Sequence, residues 1–171
     1  MAVASVTMKP HIVEWGGATE KRNTYTAGGV DTIYAGDLIR INDAGTIDVA
    51  ESASAGAVHG MALQANAASA VIIPIVLFAT DTIVKMQTID GEAPSDLDKG
   101  EEYALEVSTA NKQAVTATTT NGVALVVDYA GTGQPWDDRT GTYDETSTTD
   151  NNSVFVRFTS ATLDAVAAAA S

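Results

Sequence analysis

The only imidazoles available for acid–base chemistry near neutral pH are those of His11 and His59. His59 lies in a β-rich segment beside Gly60 and apolar residues, so a hydrogen-bonded structural role is the favoured interpretation. His11 lies in the N-terminal segment, residues 1–30. The sequence has no Gly-x-Ser-x-Gly elbow, no phosphate-binding loop and no His-Glu-x-x-His motif. We therefore predict that the protein is not an enzyme.

A group of four acidic residues between positions 90 and 98 could in principle bind Ca²⁺ through carboxylate oxygens. The four are Asp90, Glu92, Asp96 and Asp98. Their spacing differs from the Asp-x-Asp-x-Asp-Gly pattern that brings ligands around one ion, so a solvated loop is favoured and neither a metal nor a cofactor is predicted. Paired carboxylates that cleave a glycosidic bond stay a minor hypothesis, because a sequence does not give the distance between them.

Two aromatic residues, Trp136 and Tyr143, lie in a long polar segment, 131–152, that is rich in Thr, Asp and Gly. Loops of this length in compact domains are usually functional or disordered. One hypothesis is that the two rings stack on a sugar. The favoured one is that they anchor the loop on the domain.

Composition narrows the classes of partner. The 171 residues carry 22 acidic and 9 basic side chains, a net charge of −13, which argues against nucleic acid and anionic membranes because both attract Lys and Arg clusters. There is no cysteine, so disulfides and thiolate chemistry are excluded. The most apolar run, 71–79, is shorter than the ~20 residues of a membrane-spanning helix, and it predicts a buried strand.

Short β-rich segments separated by turn residues recur from residue 32 onward. Strands are predicted at 32–35, 38–41, 46–49, 58–63, 71–79, 82–88, 102–108, 113–118, 123–129 and 154–158. The turn at 42–45 predicts a hairpin, and Asn121-Gly122 predicts another, so that residues 102–129 would form a three-stranded meander. So many short strands without strand–helix alternation predict an all-β fold, a small β-barrel or sandwich.

The two ends of the chain differ from this middle part. Residues 1–30 show no persistent period, and we interpret them as an extended N-terminal arm that orders on a neighbouring subunit; the alternative is a frayed terminus. The β-domain would occupy 31–171, including the loop 131–152. Residues 161–170 have the Ala-rich composition of a short C-terminal helix.

The order of features over residues 32–160 resembles the capsid decoration (cement) proteins of tailed bacteriophages. The likeness is carried by turns and strand starts at 35–39, 45–48, 58–62, 71–79, 100–103 and 154–158. This resemblance implies a β-tulip-like domain that sits as a homotrimer on the outer surface of the virion capsid, clamps neighbouring major capsid subunits and carries no catalytic residues. The alternative is a carbohydrate-binding or host-attachment module on the virion.

Under the decoration hypothesis, the contacts with the major capsid protein and with other copies would come from the arm and the long loop. The expected contact residues are Ile12, Val13, Trp15, Tyr25, Trp136 and Tyr143. Trp15 is the main reason for choosing the arm, because an exposed indole on a loose segment is costly unless it docks.

Overall fold

The computed structural model describes residues 9–28, 32–42, 44–50, 58–66, 71–89, 91–107, 113–129 and 153–159. Within these ranges the chain forms twelve short strands and one 3-10 turn at Pro94–Asp96. The strands are β1 (His11–Glu14), β2 (Thr19–Lys21), β3 (Leu38–Ile41), β4 (Ile47–Val49), β5 (Gly60–Ala62), β6 (Ile75–Leu77), β7 (Ile83–Gln87), β8 (Glu102–Tyr103), β9 (Leu105–Val107), β10 (Gln113–Val115), β11 (Ala124–Tyr129) and β12 (Ser153–Phe158). The prediction of an all-β protein is confirmed.

The strands of the described ranges form two five-stranded sheets and one two-stranded sheet, with antiparallel neighbours throughout. The first sheet has the order β1-β7-β12-β11-β8 and the second the order β2-β6-β5-β3-β4, while β10 pairs with β9. Neither five-stranded sheet closes on itself, so the architecture is an open sandwich rather than a closed barrel.

The main core lies between the two five-stranded sheets. The first sheet contributes alternate residues such as Val84 and Met86, and the second contributes Leu38 and Val76, all fully buried. The rings of Phe78 and Phe158 stack with centroids 5.4 Å apart. Each large side chain buried here contributes about 1.5–3 kcal/mol of transfer free energy, so this layer holds the sheets together.

The second sheet is also buried on its other face. Residues that alternate with the core positions, such as Ile39 and Ile75, form a second apolar cluster with Ala27, Ile33 and Ile73. This double burial explains why β3 reads as a nearly continuous apolar run instead of an alternating one.

The N-terminal segment differs from the loose arm that the sequence predicts. Over its described residues, 9–28, it supplies an edge strand to each large sheet: β1 pairs with β7, and β2 pairs with β6. The sequence of this segment lacks a regular strand pattern for two reasons. A bulge between Ile12 and Glu14 interrupts β1, and β2 is exposed along its whole length. The segment therefore spans both layers of its own domain.

The hairpin predicted at residues 42–45 is confirmed, since β3 and β4 pair across this turn. Asn42 stabilises the turn through its side chain: Oδ1 accepts the N–H groups of Ala44 (3.0 Å) and Thr46 (3.1 Å). Gly45 takes a φ of +75°, which glycine adopts without steric cost.

The hairpin predicted at Asn121-Gly122 is wrong, although the chain does turn there. β11 pairs with β8 and β12, whereas β10 pairs with β9, so the meander over 102–129 does not form. Ala104 lies beside the segment before the turn, donating to the Thr118 carbonyl (2.8 Å) and accepting from the Thr116 N–H (3.1 Å). Asn121 has a φ of +58° but Gly122 does not have a positive φ, so the turn lacks the geometry of a two-residue hairpin.

Two other strand predictions are wrong in part. The run 71–79 forms a strand only at Ile75–Leu77, after Pro74, and Val71 and Ile72 are exposed. Proline has no N–H to donate to a ladder, so it delays the strand. The segment 32–35 makes a single bridge, from Ile33 to Asn66. The loop 131–152 and the predicted helix 161–170 lie outside the described residues.

Candidate protein-binding surface

An irregular ladder extends the second sheet beyond the ends of its strands. The Gly36 N–H donates to the Ala62 carbonyl (2.8 Å), the Asn66 N–H to the Ile33 carbonyl (2.8 Å), and the Leu63 N–H to the Pro74 carbonyl (3.0 Å). A further bridge joins Thr26 and Ile72. Four stretches of chain therefore lie side by side at this end of the sandwich.

Side chains on this ladder alternate between a buried and an exposed side. Ile33, Ala62 and Ile73 point into the second apolar cluster. Successive side chains of an extended chain point to opposite faces. The residues that follow Ile33 and Ala62, and the one that precedes Ile73, therefore face away from that cluster. These are Tyr34, Leu63 and Ile72, which are 40%, 39% and 52% exposed. We call these three residues the apolar face.

Tyr34 is held in place by an ion pair beneath it. The Lys9 ammonium binds the Asp37 carboxylate and lies 5.0 Å from the centre of the Tyr34 ring, a favourable cation–π distance. Asp37 is fully buried, and its Oδ2 accepts the Tyr34 N–H at 2.7 Å. The Tyr34 side chain is thus held against the turn 34–37.

A second exposed feature is the corner between β1 and β2, residues 15–17, which we call the Trp15 corner. The Trp15 carbonyl accepts the hydroxyl of buried Thr82 (2.9 Å), and the Gly17 N–H donates to the Asp81 carboxylate (2.8 Å). A Cβ on Gly16 would lie 2.5 Å from Asp81 Cγ, so only glycine fits. The backbone is fixed on both sides, while the Trp15 side chain is 49% exposed.

The contact residues predicted from the sequence lie in different surroundings. Trp15 is exposed, as a contact residue must be, whereas Ile12 packs against the main core and Tyr25 against the second cluster. Val13 lies at the β1 bulge and is half-buried. Trp136 and Tyr143 lie outside the described residues, so their contact role stays a prediction.

Three of the chemically active residues found in the sequence have structural partners, and a fourth, Asp90, lies outside the described residues. His59 is buried, and its Nδ1 accepts the Ile41 N–H at 2.6 Å, in agreement with the favoured interpretation. Glu92 accepts the Thr116 hydroxyl at 3.2 Å and also the Ala117 N–H. Asp96 Oδ2 accepts the Ala93 N–H at 2.8 Å and so closes the 3-10 turn. Among the described residues, no three acidic or imidazole side chains converge as a metal site would require.

None of the contact residues predicted from the sequence belongs to the apolar face. The sequence nevertheless contains a pattern that indicates it: Ile33-Tyr34 and Ile72-Ile73 each place two large apolar residues in adjacent positions, and Ala62-Leu63 places one beside alanine. An extended chain can bury only one of each pair in a one-sided layer. Which member turns outward depends on pairing between distant segments, which local pattern does not give.

Comparison with known proteins gives no match, either to protein-family models or among curated proteins and solved structures. None of the helices in the described ranges is long and apolar enough to cross a bilayer.

Proposed function

We propose that this protein is a non-catalytic capsid decoration protein that binds the outer surface of a phage head and bridges major capsid subunits. The observation that carries the proposal is the pair of exposed, backbone-anchored contact points, the apolar face and the Trp15 corner. Aromatic and apolar groups held rigidly at a surface bind partners at a low entropic cost. The order of sequence features that resembles decoration proteins supplies the choice of partner.

Along the chain, Ile72 of the apolar face and Ala79 beside the Trp15 corner lie on either side of β6, which runs from Ile75 to Leu77. The Trp15 corner packs at Ala79, because a Cβ on Gly17 would lie 3.1 Å from the Ala79 Cβ. Ile72 and Ala79 are at most about 23 Å apart, since seven residue steps of about 3.3 Å separate them. Simultaneous contact at both points raises the overall affinity without requiring strong binding at either.

The charge of the chain supports contact through these points. A net charge of −13 makes copies of the protein repel each other at long range, so apolar groups that carry no charge are the places where a second protein can approach closely. The same charge keeps decorated particles apart. Three copies of the chain associating as a homotrimer would multiply the contacts with the shell, and light scattering of the purified protein tests that stoichiometry.

Binding to purified heads that lack the protein tests the proposal directly. The double variant Leu63→Asp/Ile72→Asp places charge on the apolar face and is expected to weaken binding more than tenfold, a loss above about 1.4 kcal/mol. Val127→Asp is the matched control, because Val127 is exposed on β11 of the other sheet. Equal binding by the double variant and the control contradicts a contact through the apolar face.

Decoration also predicts a mechanical effect. Heads with the protein bound are expected to release DNA at a higher temperature than bare heads, because each bound copy connects neighbouring subunits. Equal release temperatures at saturating protein contradict the proposal even if binding is observed.

The second candidate is a carbohydrate-binding or host-attachment module, favoured by the exposed indole of Trp15 on its fixed corner. Aromatic rings offer a flat apolar surface with a polar edge, which suits a sugar ring. A glycan array with the wild type, Trp15→Ala and Trp136→Ala tests it. The absence of glycan binding by the wild type rejects this function and leaves the decoration proposal intact.

A further inference from the structure

Asn121 lies in an exposed turn that precedes β11. The Gly122 N–H donates to the Thr119 carbonyl at 3.1 Å and closes the turn. Asn121 has a φ of +58°, and among the described residues it is the only one other than glycine with a positive φ. Asparagine tolerates this left-handed conformation better than most residues, so the backbone favours Asn or Gly at position 121.

The next residue must be glycine for a different reason. A Cβ on Gly122 would lie 2.5 Å from the carbonyl oxygen and 2.7 Å from the carbonyl carbon of Glu102. Backbone atoms cannot rotate away as a side chain can, so any larger residue would push β8 and the turn apart. The fold therefore requires glycine at position 122 and accommodates asparagine before it, at an exposed position.

We propose that Asn121 is a site of spontaneous covalent modification through its own backbone. The Gly122 nitrogen attacks Cγ of Asn121, an N–Cγ bond forms, and the Cγ–Nδ2 bond breaks. The Gly122 amide proton is transferred to the leaving nitrogen, which departs as ammonia and leaves a five-membered succinimide. Water then opens the ring. Cleavage of the N–Cγ bond gives aspartate, and cleavage at the main-chain carbonyl gives isoaspartate, without any oxidant or reductant.

Other asparagines in the chain are more hindered. Each is followed by a residue with a side chain: Asn23 by Thr24, Asn42 by Asp43, Asn66 by Ala67, Asn111 by Lys112, Asn151 by Asn152, and Asn152 by Ser153. A side chain on the following residue obstructs ring closure, whereas Gly122 has none. Asn66 is in addition buried.

The native turn restrains the reaction, because the attacking nitrogen is already engaged with the Thr119 carbonyl. Once modified, the turn would disturb the pairing next to it: the Val123 N–H donates to the Tyr103 carbonyl at 2.9 Å, and Ala124 pairs with Tyr103. Isoaspartate adds a methylene group to the main chain at this point, and either product adds a negative charge close to Glu102. Modification is therefore expected to loosen β8, which is the edge strand of the first sheet.

Prolonged incubation at mildly alkaline pH, followed by site-resolved peptide mass spectrometry, tests this proposal. The full-length protein is compared in buffer and in urea with Asn121→Gly, which tolerates the positive φ and cannot form the succinimide, and with Asn121→Asp. We expect position 121 to accumulate aspartate and isoaspartate before any other asparagine, faster in urea than in buffer. These products add negative charge, so the incubated Asn121→Gly variant is expected to be less heterogeneous in charge than the wild type. Earlier modification of another asparagine, or an unchanged rate in urea, overturns the proposal.

Discussion

The side chain of Gln113 binds the backbone of Leu38 as a neighbouring strand would. Its Oε1 accepts the Leu38 N–H at 2.7 Å, and its Nε2 donates to the Leu38 carbonyl at 2.7 Å and to the Ala50 carbonyl at 2.9 Å. Gln113 lies in β10 and is fully buried. One amide group thus joins the two-stranded sheet to the second five-stranded sheet, at the start of β3 and just after the end of β4.

Replacing this amide by an isosteric apolar group is expected to destabilise the fold. Gln113→Leu leaves the buried Leu38 N–H and the Ala50 carbonyl without the hydrogen bonds that Gln113 provides. Each unsatisfied buried group costs about 1–3 kcal/mol, so we expect a loss of about 3 kcal/mol in the free energy of unfolding. Urea denaturation measures it.

The control is Gln64→Leu, since Gln64 is exposed. It should change the free energy of unfolding by less than about 0.5 kcal/mol. If the two substitutions have similar effects, Gln113 is not the connection between the sheets that the hydrogen bonds indicate.

The sequence predicted those parts of the fold that depend on neighbours in the chain. The turn at Asn42 is one, because the Asn42 side chain itself bonds to Ala44 and Thr46. The all-β class follows from many such local signals. The contact role of Gln113 is different: its partners are 63 and 75 residues away, and nothing near position 113 indicates them.

The Asn121-Gly122 turn shows why strong local signals can give the wrong pairing. The turn is real, yet Tyr103 and Ala104 occupy the positions that the predicted hairpin partners would take. The apolar face was missed for the same reason, because only the pairing of Ile33 with Asn66 and of Leu63 with Pro74 determines which side chains turn outward.

A side chain at Gly60 is expected to break the second sheet. A Cβ there would lie 2.0 Å from the Val76 carbonyl oxygen, which belongs to the paired strand β6. Overpacking of this kind forces the strands apart, and we expect Gly60→Ala to cost about 3 kcal/mol in thermal or urea unfolding.

Gly45→Ala is the control that separates the steric clash expected at position 60 from the general cost of replacing a glycine. Gly45 has open space around it but a φ of +75°, so alanine there meets only the left-handed backbone penalty of about 1 kcal/mol. Equal losses at positions 45 and 60 would contradict the close approach of β5 and β6.

The rigidity of the Trp15 corner should depend on one hydroxyl group. Thr82 Oγ1 accepts the Ala79 N–H at 3.0 Å and donates to the Trp15 carbonyl at 2.9 Å. In Thr82→Val both bonds are lost at nearly constant volume. With Trp136→Phe as background, Trp15 is the only indole, and its fluorescence anisotropy should fall in Thr82→Val. Thr80→Val is the matched control because Thr80 is exposed; an equal fall there would show that Thr82 does not fix the corner.

The ion pair between Lys9 and Asp37 should couple the start of the described chain to the apolar face. Lys9→Met removes the cation from a fully buried carboxylate, which is more costly than removing both charges together. Asp37→Asn retains an oxygen that can accept the Tyr34 N–H. We therefore expect the double variant Lys9→Met/Asp37→Asn to lose less free energy of unfolding than the two single variants lose in sum, by about 1–2 kcal/mol. Strict additivity in urea unfolding would show that the ion pair contributes nothing, and that Tyr34 is positioned by its backbone alone.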